Sequence, residues 1–363
     1  MMTQHQLGRD IFNLLVTFSI ALSTGWLFFQ IGAPAPFMMG SLFGVWVIGA
    51  NLPRLQPYLG VARWLHIPVI LGLGVLVGST FTADVLKQTL QWWQTVSSMI
   101  AVTILVTACG YFFLTRIRKY DPMMAFFCSV PGGQAEAIVM AREHVEKDYV
   151  VALFHLIRVV FVFFSTPLLL AFMQGTEAVQ QSNQQLADMP SLFTLPAKEL
   201  IAFVGMGVIG YILARLIKLP MAHLLGPLLI STFAHASGLI VIPRVFEFVM
   251  LAQLAIGGAV GARLSKVRFG ELIVYFKDAL LNTVFILFLY FTTSVIIAYL
   301  TEADLLLVWL AFVPGGLYEV TLLALIFGFD IAYVAFHHAV RVVLVFITMP
   351  ITALRLRKKI QHR

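Results

Sequence analysis

Two short patterns in this 363-residue chain hold residue types that could do chemistry in an apolar setting. Pro131-Gly132-Gly133-x2-Glu136 precedes His155-x2-Arg158, and 183 residues later Pro314-Gly315-Gly316-x2-Glu319 precedes His338-x2-Arg341. A guanidinium stays charged at any working pH and can grip a carboxylate or phosphate through its planar fork. Arg158 is the tenth residue of the apolar run that starts at Tyr149, and Arg341 the eleventh of the run that starts at Ile331. A charge at that depth in a membrane is rare and faces the bundle interior, a partner or a cavity. Two compatible readings follow: buried ion pairs with Glu136 and Glu319, or an anion site where a substrate carboxylate displaces the internal one. Gly132, Gly133, Gly315 and Gly316 are assigned with the arginines to substrate binding.

His155 and His338 precede the arginines by three residues, on the same helical face. Each is either a packed, hydrogen-bonded side chain or a proton relay, since imidazole titrates near neutrality. Glu136 and Glu319 fall just after the glycines, where a helix beginning there would offer a positive dipole end to a carboxylate. That is either capping or a proton or cation site. The set Glu136, Glu319, His155 and His338 has the residue types of a carboxylate–histidine iron centre. Its spacing carries no Glu-x-x-His signature, so no metal and no cofactor are expected.

These residues need a scaffold, and composition defines its class. The chain is 60% hydrophobic and only 11% charged, with a mean hydropathy of +0.93, whereas soluble domains carry about 25% charged residues. An all-α polytopic membrane protein is expected, and a soluble enzyme, a disulfide scaffold and a disordered chain are excluded. Cys109 and Cys128 both lie in apolar runs and imply no disulfide framework. The apolar run Ile11–Ile31 has the length of a full span rather than of a cleavable signal. Runs of about 20 apolar residues fall at 11–31, 34–50, 66–83, 92–114, 122–141 and 149–173. After a polar stretch containing QQSNQQ they continue at 199–214, 220–242, 248–262, 279–300, 305–327 and 331–352.

Six runs on each side of the polar stretch suggest a duplication. The 183-residue offset also joins Pro167 to Pro350, Gly74 to Gly257 and Gly78 to Gly261. Pro34-x5-Gly40 returns as Pro220-x5-Gly226, and Pro53-Arg54 as Pro243-Arg244. The expected organisation is therefore 1–173 as a first repeat, 174–198 as an extracytoplasmic linker and 199–363 as a second repeat. Gly74-x3-Gly78 and Gly257-x3-Gly261 are small-xxx-small patterns that predict close helix packing.

The PGG-containing runs 122–141 and 305–327 are unusual, because proline removes a backbone donor and clashes with the preceding turn. They could be kinked spans, or pairs of half-helices that break at mid-depth and do not cross, which requires burial in protein or a water-filled cavity. Loop charge separates the two. If both re-enter, with the C-terminal Arg355, Arg357, Lys358, Lys359 and Arg363 inside, the loop lysines and arginines split 19 inside to 3 outside, namely Lys87, Lys198 and Arg244. If both cross, the split is 13 to 9. The positive-inside rule favours re-entry. Each repeat then has five crossings, an odd number, so the second is inverted relative to the first, with both termini cytoplasmic. Inverted repeats with broken elements near the midplane are the architecture of many secondary transporters.

The tandem PGG with its downstream arginine, and the Pro-x5-Gly motif opening each copy, resemble the AbrB family of bacterial inner-membrane proteins, also labelled membrane AbrB duplication proteins or ammonia monooxygenases. The resemblance spans roughly residues 12–355; Val130 and Val313 stand where the family more usually has Ser before Pro-Gly-Gly. It implies an integral inner-membrane protein tied to regulation of gene expression in one setting and to ammonia oxidation in another. The oxidase label finds no metal-ligand signature, so an enzyme is not favoured. No nucleic-acid partner is expected, because the basic residues are scattered over loops. The leading expectation is a secondary transporter of a small organic anion with possible proton coupling. A membrane-embedded regulator or, third, an intramembrane monooxygenase are the alternatives.

Overall fold

A computed structural model describes residues 4–267 and 269–361. Among the described residues all regular structure is helical. The helices are α1 (Gln4–Gln30), α2 (Pro36–Asn51), α3 (Arg63–Gly78), α4 (Ala83–Gln88), α5 (Trp93–Phe112), α6 (Pro122–Ser129), α7 (Gln134–Ala141) and α8 (Asp148–Ala187). Then come α9 (Ala197–Leu216), α10 (Ala222–Ala236), α11 (Phe246–Ser265), α12 (Phe269–Thr301), α13 (Leu305–Phe312), α14 (Leu317–Ile326) and α15 (Ile331–Gln361). Seven stretches among the described residues are long and apolar enough to cross a membrane. Ile201, Leu216 and Phe233 are about 70% exposed, the inside-out pattern of a helical surface that meets lipid tails rather than water. The protein is a multi-pass membrane protein.

The expected spans 34–50, 66–83 and 220–242 fall on α2, α3 and α10, which have only 15 or 16 residues. At 1.5 Å per residue such a helix covers about 24 Å, short of a hydrocarbon core of about 30 Å. Local chemistry shortens them. Pro36 starts α2, and Ala35 and Met221 enter α2 and α10 with left-handed φ of 46°.

The chain forms two compact units, each drawing on both halves of the sequence. The first comprises Met1–Lys87, Phe164–Val267 and Thr321–Ala332. In it α2 packs chiefly on α11 and α1, and α3 chiefly on α10. The glycine stripes set how close those helices come. A methyl at Gly74 would fall 2.5 Å from the Leu224 carbonyl oxygen, and one at Gly257 2.5 Å from that of Met38. Met38 and Leu224 are themselves equivalent positions of the two Pro-x5-Gly motifs, so the contact is reciprocal: α3 on α10 repeats α11 on α2.

The polar stretch after residue 173 also belongs to this unit, and it is not an extended linker. Gly175, at φ 86°, kinks α8, after which the helix resumes to Ala187. Ser182 donates to the Ile326 carbonyl, and Asn183 to that of Ala33 at 3.5 Å. The glutamines of this stretch are the outer face of a helix whose inner face is pinned.

The second unit comprises Gln88–Phe163, Arg268–Val320 and Tyr333–Arg363. In it α5 packs against α12 and α6, and α12 against α13. Every residue of the two sequence patterns lies in this unit.

Candidate functional site

Both PGG-containing runs are broken. The first run stops at Ser129 and restarts at Gln134, and the second stops at Phe312 and restarts at Leu317. An N-cap starts each: the Asp121 carboxylate accepts from Met123 N and Met124 N, and that of Asp304 from Leu307 N. The break leaves the last carbonyls of α6 and α13 without the amides of a following turn.

Those carbonyls are what the arginines hold. Arg158 Nη1 donates to Val130 O at 2.7 Å and Nη2 to Cys128 O at 2.5 Å. Arg341 Nη1 donates to Phe312 O at 2.7 Å, and its Nη2 to Val313 O at 3.0 Å and Gly315 O at 3.4 Å. The histidines serve the same helix ends: His155 Nε2 lies 3.0 Å from Phe127 O, and His338 Nε2 2.8 Å from Leu310 O. At the 183-residue offset Val130 matches Val313 and Phe127 matches Leu310, so both segments are gripped alike. A helix C-terminus carries about half a negative charge, which gives each cation partial compensation.

Buried ion pairs with Glu136 and Glu319 are one of the two readings of the sequence; the hydrogen bonds that place the guanidiniums go to backbone carbonyls. The carboxylates instead occupy the other side of each break, in the first turn of α7 and α14. The Glu136 carboxylate folds back to 3.7 Å from where a Cβ on Gly133 would stand, and the Glu319 carboxylate folds over Gly316. Each break thus sets a guanidinium on its negative dipole end and a carboxylate on its positive one.

Arg158 and Arg341 are 2% and 1% exposed. The Nε of each is buried without a hydrogen-bond partner among the described residues. His338 Nδ1 lies 2.8 Å from Arg341 Nη2. A guanidinium can only donate and a carbonyl can only accept, so His338 is neutral, with its proton on Nε2 and its Nδ1 lone pair on the arginine. A proton relay through His338 would have to break that contact first. Glu136 is half-buried, Glu319 buried.

The structure brings each PGG turn against the other copy's arginine helix. A Cβ on Gly132 would stand 3.5 Å from Arg341 Nε, and one on Gly133 3.3 Å from Val345 Cγ1. A Cβ on Gly315 would stand 3.1 Å from Val162 Cγ1. Val162 and Val345 are again 183 residues apart.

Sequence reasoning missed Tyr290, which is fully buried on α12. Its hydroxyl donates to Thr103 Oγ1 at 3.4 Å. The signal lay in the spacing. Asp278, Asn282, Tyr290 and Ser294 recur at multiples of four in an apolar helix, and all four are buried. His337, which has no counterpart in the first copy, is a packed core residue that bonds Tyr333 O and Thr95 Oγ1.

A family profile described as "Transition state regulatory protein AbrB" matches residues 37–357. The chain belongs to the AbrB family. Two relatives are similar over nearly their whole length. YhjN of Bacillus subtilis (strain 168) is 23% identical over 356 residues, covering 92% of this chain and 90% of that one. A protein of Escherichia coli (strain K12), provisionally named regulator AbrB, is 24% identical over 344 residues, covering 94% and 95%. These matches establish family membership for the multi-pass, AbrB-type chain described above.

Proposed function

We propose that this protein is a secondary carrier of a small organic anion, with Arg158 and Arg341 as its central site and Gly132, Gly133, Gly315 and Gly316 as the adjoining backbone. One observation carries the reading. Two guanidiniums are fully buried in one compact unit, their terminal nitrogens are held by backbone carbonyls, and each keeps an unengaged Nε–H. Removing such a charge from water costs several kcal/mol even after relaxation. Carbonyl dipoles offset part of that cost, and an anion between the two Nε edges would offset more. Because the terminal nitrogens are engaged by carbonyls, the anion is gripped along the Nε edges.

The remaining features fit a carrier. The duplicated sequence, the loop-charge split and the reciprocal contacts in both units support two inverted repeats. Each has five crossings and one re-entrant broken segment, in the inner membrane with both termini cytoplasmic. Glu136, half-buried at a helix N-terminus, is the group best placed to exchange a proton as the anion binds. Glu319 is its second-copy equivalent, and His155 and His338 orient the helix ends. A carrier that changes the level of a signalling metabolite would also fit the regulator name that one relative bears.

The test is uptake of radiolabelled mono- and dicarboxylates into proteoliposomes, with and without a proton gradient. Accumulation should be lost in Arg158→Lys, which keeps the charge and loses the Nε–H geometry. If Arg158→Lys and Arg341→Lys both transport at the parental rate and affinity, the arginines are structural caps and the reading fails.

A further inference from the structure

A cleft of about 750 Å³ opens at the end of the second unit, among the α5–α6 loop, the α7–α8 turn, the start of α12 and the end of α15. Its construction is irregular where the cations are. A π-helical turn, Phe113–Ile117, closes α5, and Lys119 follows with a left-handed φ of 62°. Irregular helical turns and non-glycine residues in that region are sparse, cost energy and cluster at functional sites. Together they set Arg118 and Tyr120 on the buried carboxylate of Asp278, to which Arg118 is ion-paired and Tyr120 Oη donates at 2.9 Å. Burial, and then the bond to Asp278, raises the Tyr120 phenol's pKa above its ordinary value, so it remains a donor.

The charges that remain can be counted by partner. Asp278 neutralises Arg118, and Asp121 is engaged in capping α6. Lys119, Lys147 and Arg357 remain, all exposed, against two lining carboxylates, Asp121 at the start of α6 and the exposed Glu146. Lys147 Nζ is steered into place by a 3.2 Å bond to Tyr275 Oη. The cleft therefore presents an excess of about one positive charge beside an apolar wall of Met123, Met124 and Val274.

We propose that this cleft is a binding site for a phosphate-bearing anion, separate from the arginine pair. A phosphate group carries one to two negative charges and three or more acceptor oxygens. Three mobile donors from three segments suit it, and the volume leaves room for the organic part on the apolar wall. Two sources offer this chemistry: an anionic phospholipid headgroup, which basic pockets at a cytoplasmic membrane face commonly recruit, and a soluble phosphate ester.

The full chain in nanodiscs distinguishes them. The readout is native mass spectrometry of retained lipid, with phosphatidylglycerol against phosphatidylcholine, and isothermal titration of glycerol 3-phosphate. At least tenfold selection of phosphatidylglycerol, lost in the triple variant Lys119→Gln/Lys147→Gln/Arg357→Gln, assigns the site to lipid. Glycerol 3-phosphate binding that the triple variant loses assigns it to a soluble ester. Glu146→Gln should tighten whichever ligand binds two- to threefold, which tests the site without depending on the triple variant. Binding of neither probe, or binding unchanged in both variants, overturns the proposal.

Discussion

The two PGG turns share a sequence and differ in conformation. In the first, Gly132 and Gly133 take left-handed φ of 80° and 57°, and Arg158 holds two carbonyls. In the second, neither Gly315 nor Gly316 has a positive φ. That turn is closed by a Gly315 N to Val313 O bond of 2.9 Å, and a Cβ on Gly315 would stand 2.5 Å from Val320 Cγ2. Arg341 there holds three carbonyls and His338. The second turn is locked by its own packing, while the first is held by fewer bonds and by glycine's tolerance of the left-handed region. Identical motifs thus take different conformations, the second braced by more contacts than the first.

The largest expected effect sets the arginines against each other. Each buried acceptor left unmatched costs about 1–3 kcal/mol, with strong non-additivity, so Arg341→Ala should cost about 3 kcal/mol or more and Arg158→Ala about half that. Thermal unfolding of the purified protein in detergent measures the difference, and equal losses would dissolve the asymmetry.

Next come the turns. At Gly133, alanine should cost about 1–2 kcal/mol for the left-handed backbone, and asparagine less, because its short polar side chain tolerates that region. At Gly315 the obstacle is Val320 and Val162, so cost should follow volume, with asparagine worse than alanine by about 1 kcal/mol or more. The same order at both positions would mean that the two turns do not differ as described.

Smaller is the histidine pair. His338→Phe removes two hydrogen bonds and His155→Phe one. At about 1 kcal/mol per bond, a gap of that size in unfolding free energy is expected, with His338→Phe the less stable. The smallest effect is Tyr290→Phe. It keeps the ring and deletes only the hydroxyl that donates to Thr103, for about 0.6 kcal/mol, the average of buried hydrogen bonds in membrane proteins. A loss above about 2 kcal/mol would show that the hydroxyl does more than bond Thr103.

The comparison also marks how far the sequence could be read. The breaks were legible because proline and glycine act on the chain locally, and Glu136 and Glu319 lie at the helix starts where their spacing put them. The arginines' partners were not legible. A carboxylate stands out in an apolar sequence, whereas every residue has a carbonyl, and only the fold decides which carbonyls lose their amides. That Gln174–Ala187 is helical was not legible for a related reason: glutamine and serine are as compatible with the wet face of a pinned helix as with an irregular connection. The short α2, α3 and α10 were read as longer because hydropathy marks which residues are apolar, not where the backbone bends. Tyr290 was visible only as a four-residue spacing, which carries meaning once the helix is known to be buried.

Holding arginines by carbonyl dipoles, which bear no net charge, leaves the charge of each break to its carboxylate: with Glu136 and Glu319 protonated, both guanidinium charges stand uncancelled. Dipoles can stabilise that charge without cancelling it, so it still feels the electrical potential across the membrane. One elementary charge moved across 100 mV involves about 2.3 kcal/mol. A rearrangement carrying both guanidiniums through a quarter of the field would therefore involve about 1.2 kcal/mol per 100 mV. A bound dianion would remove that dependence and a bound monoanion would halve it. The conformational equilibrium of the empty protein would then respond to membrane voltage, and that of the loaded protein would respond less.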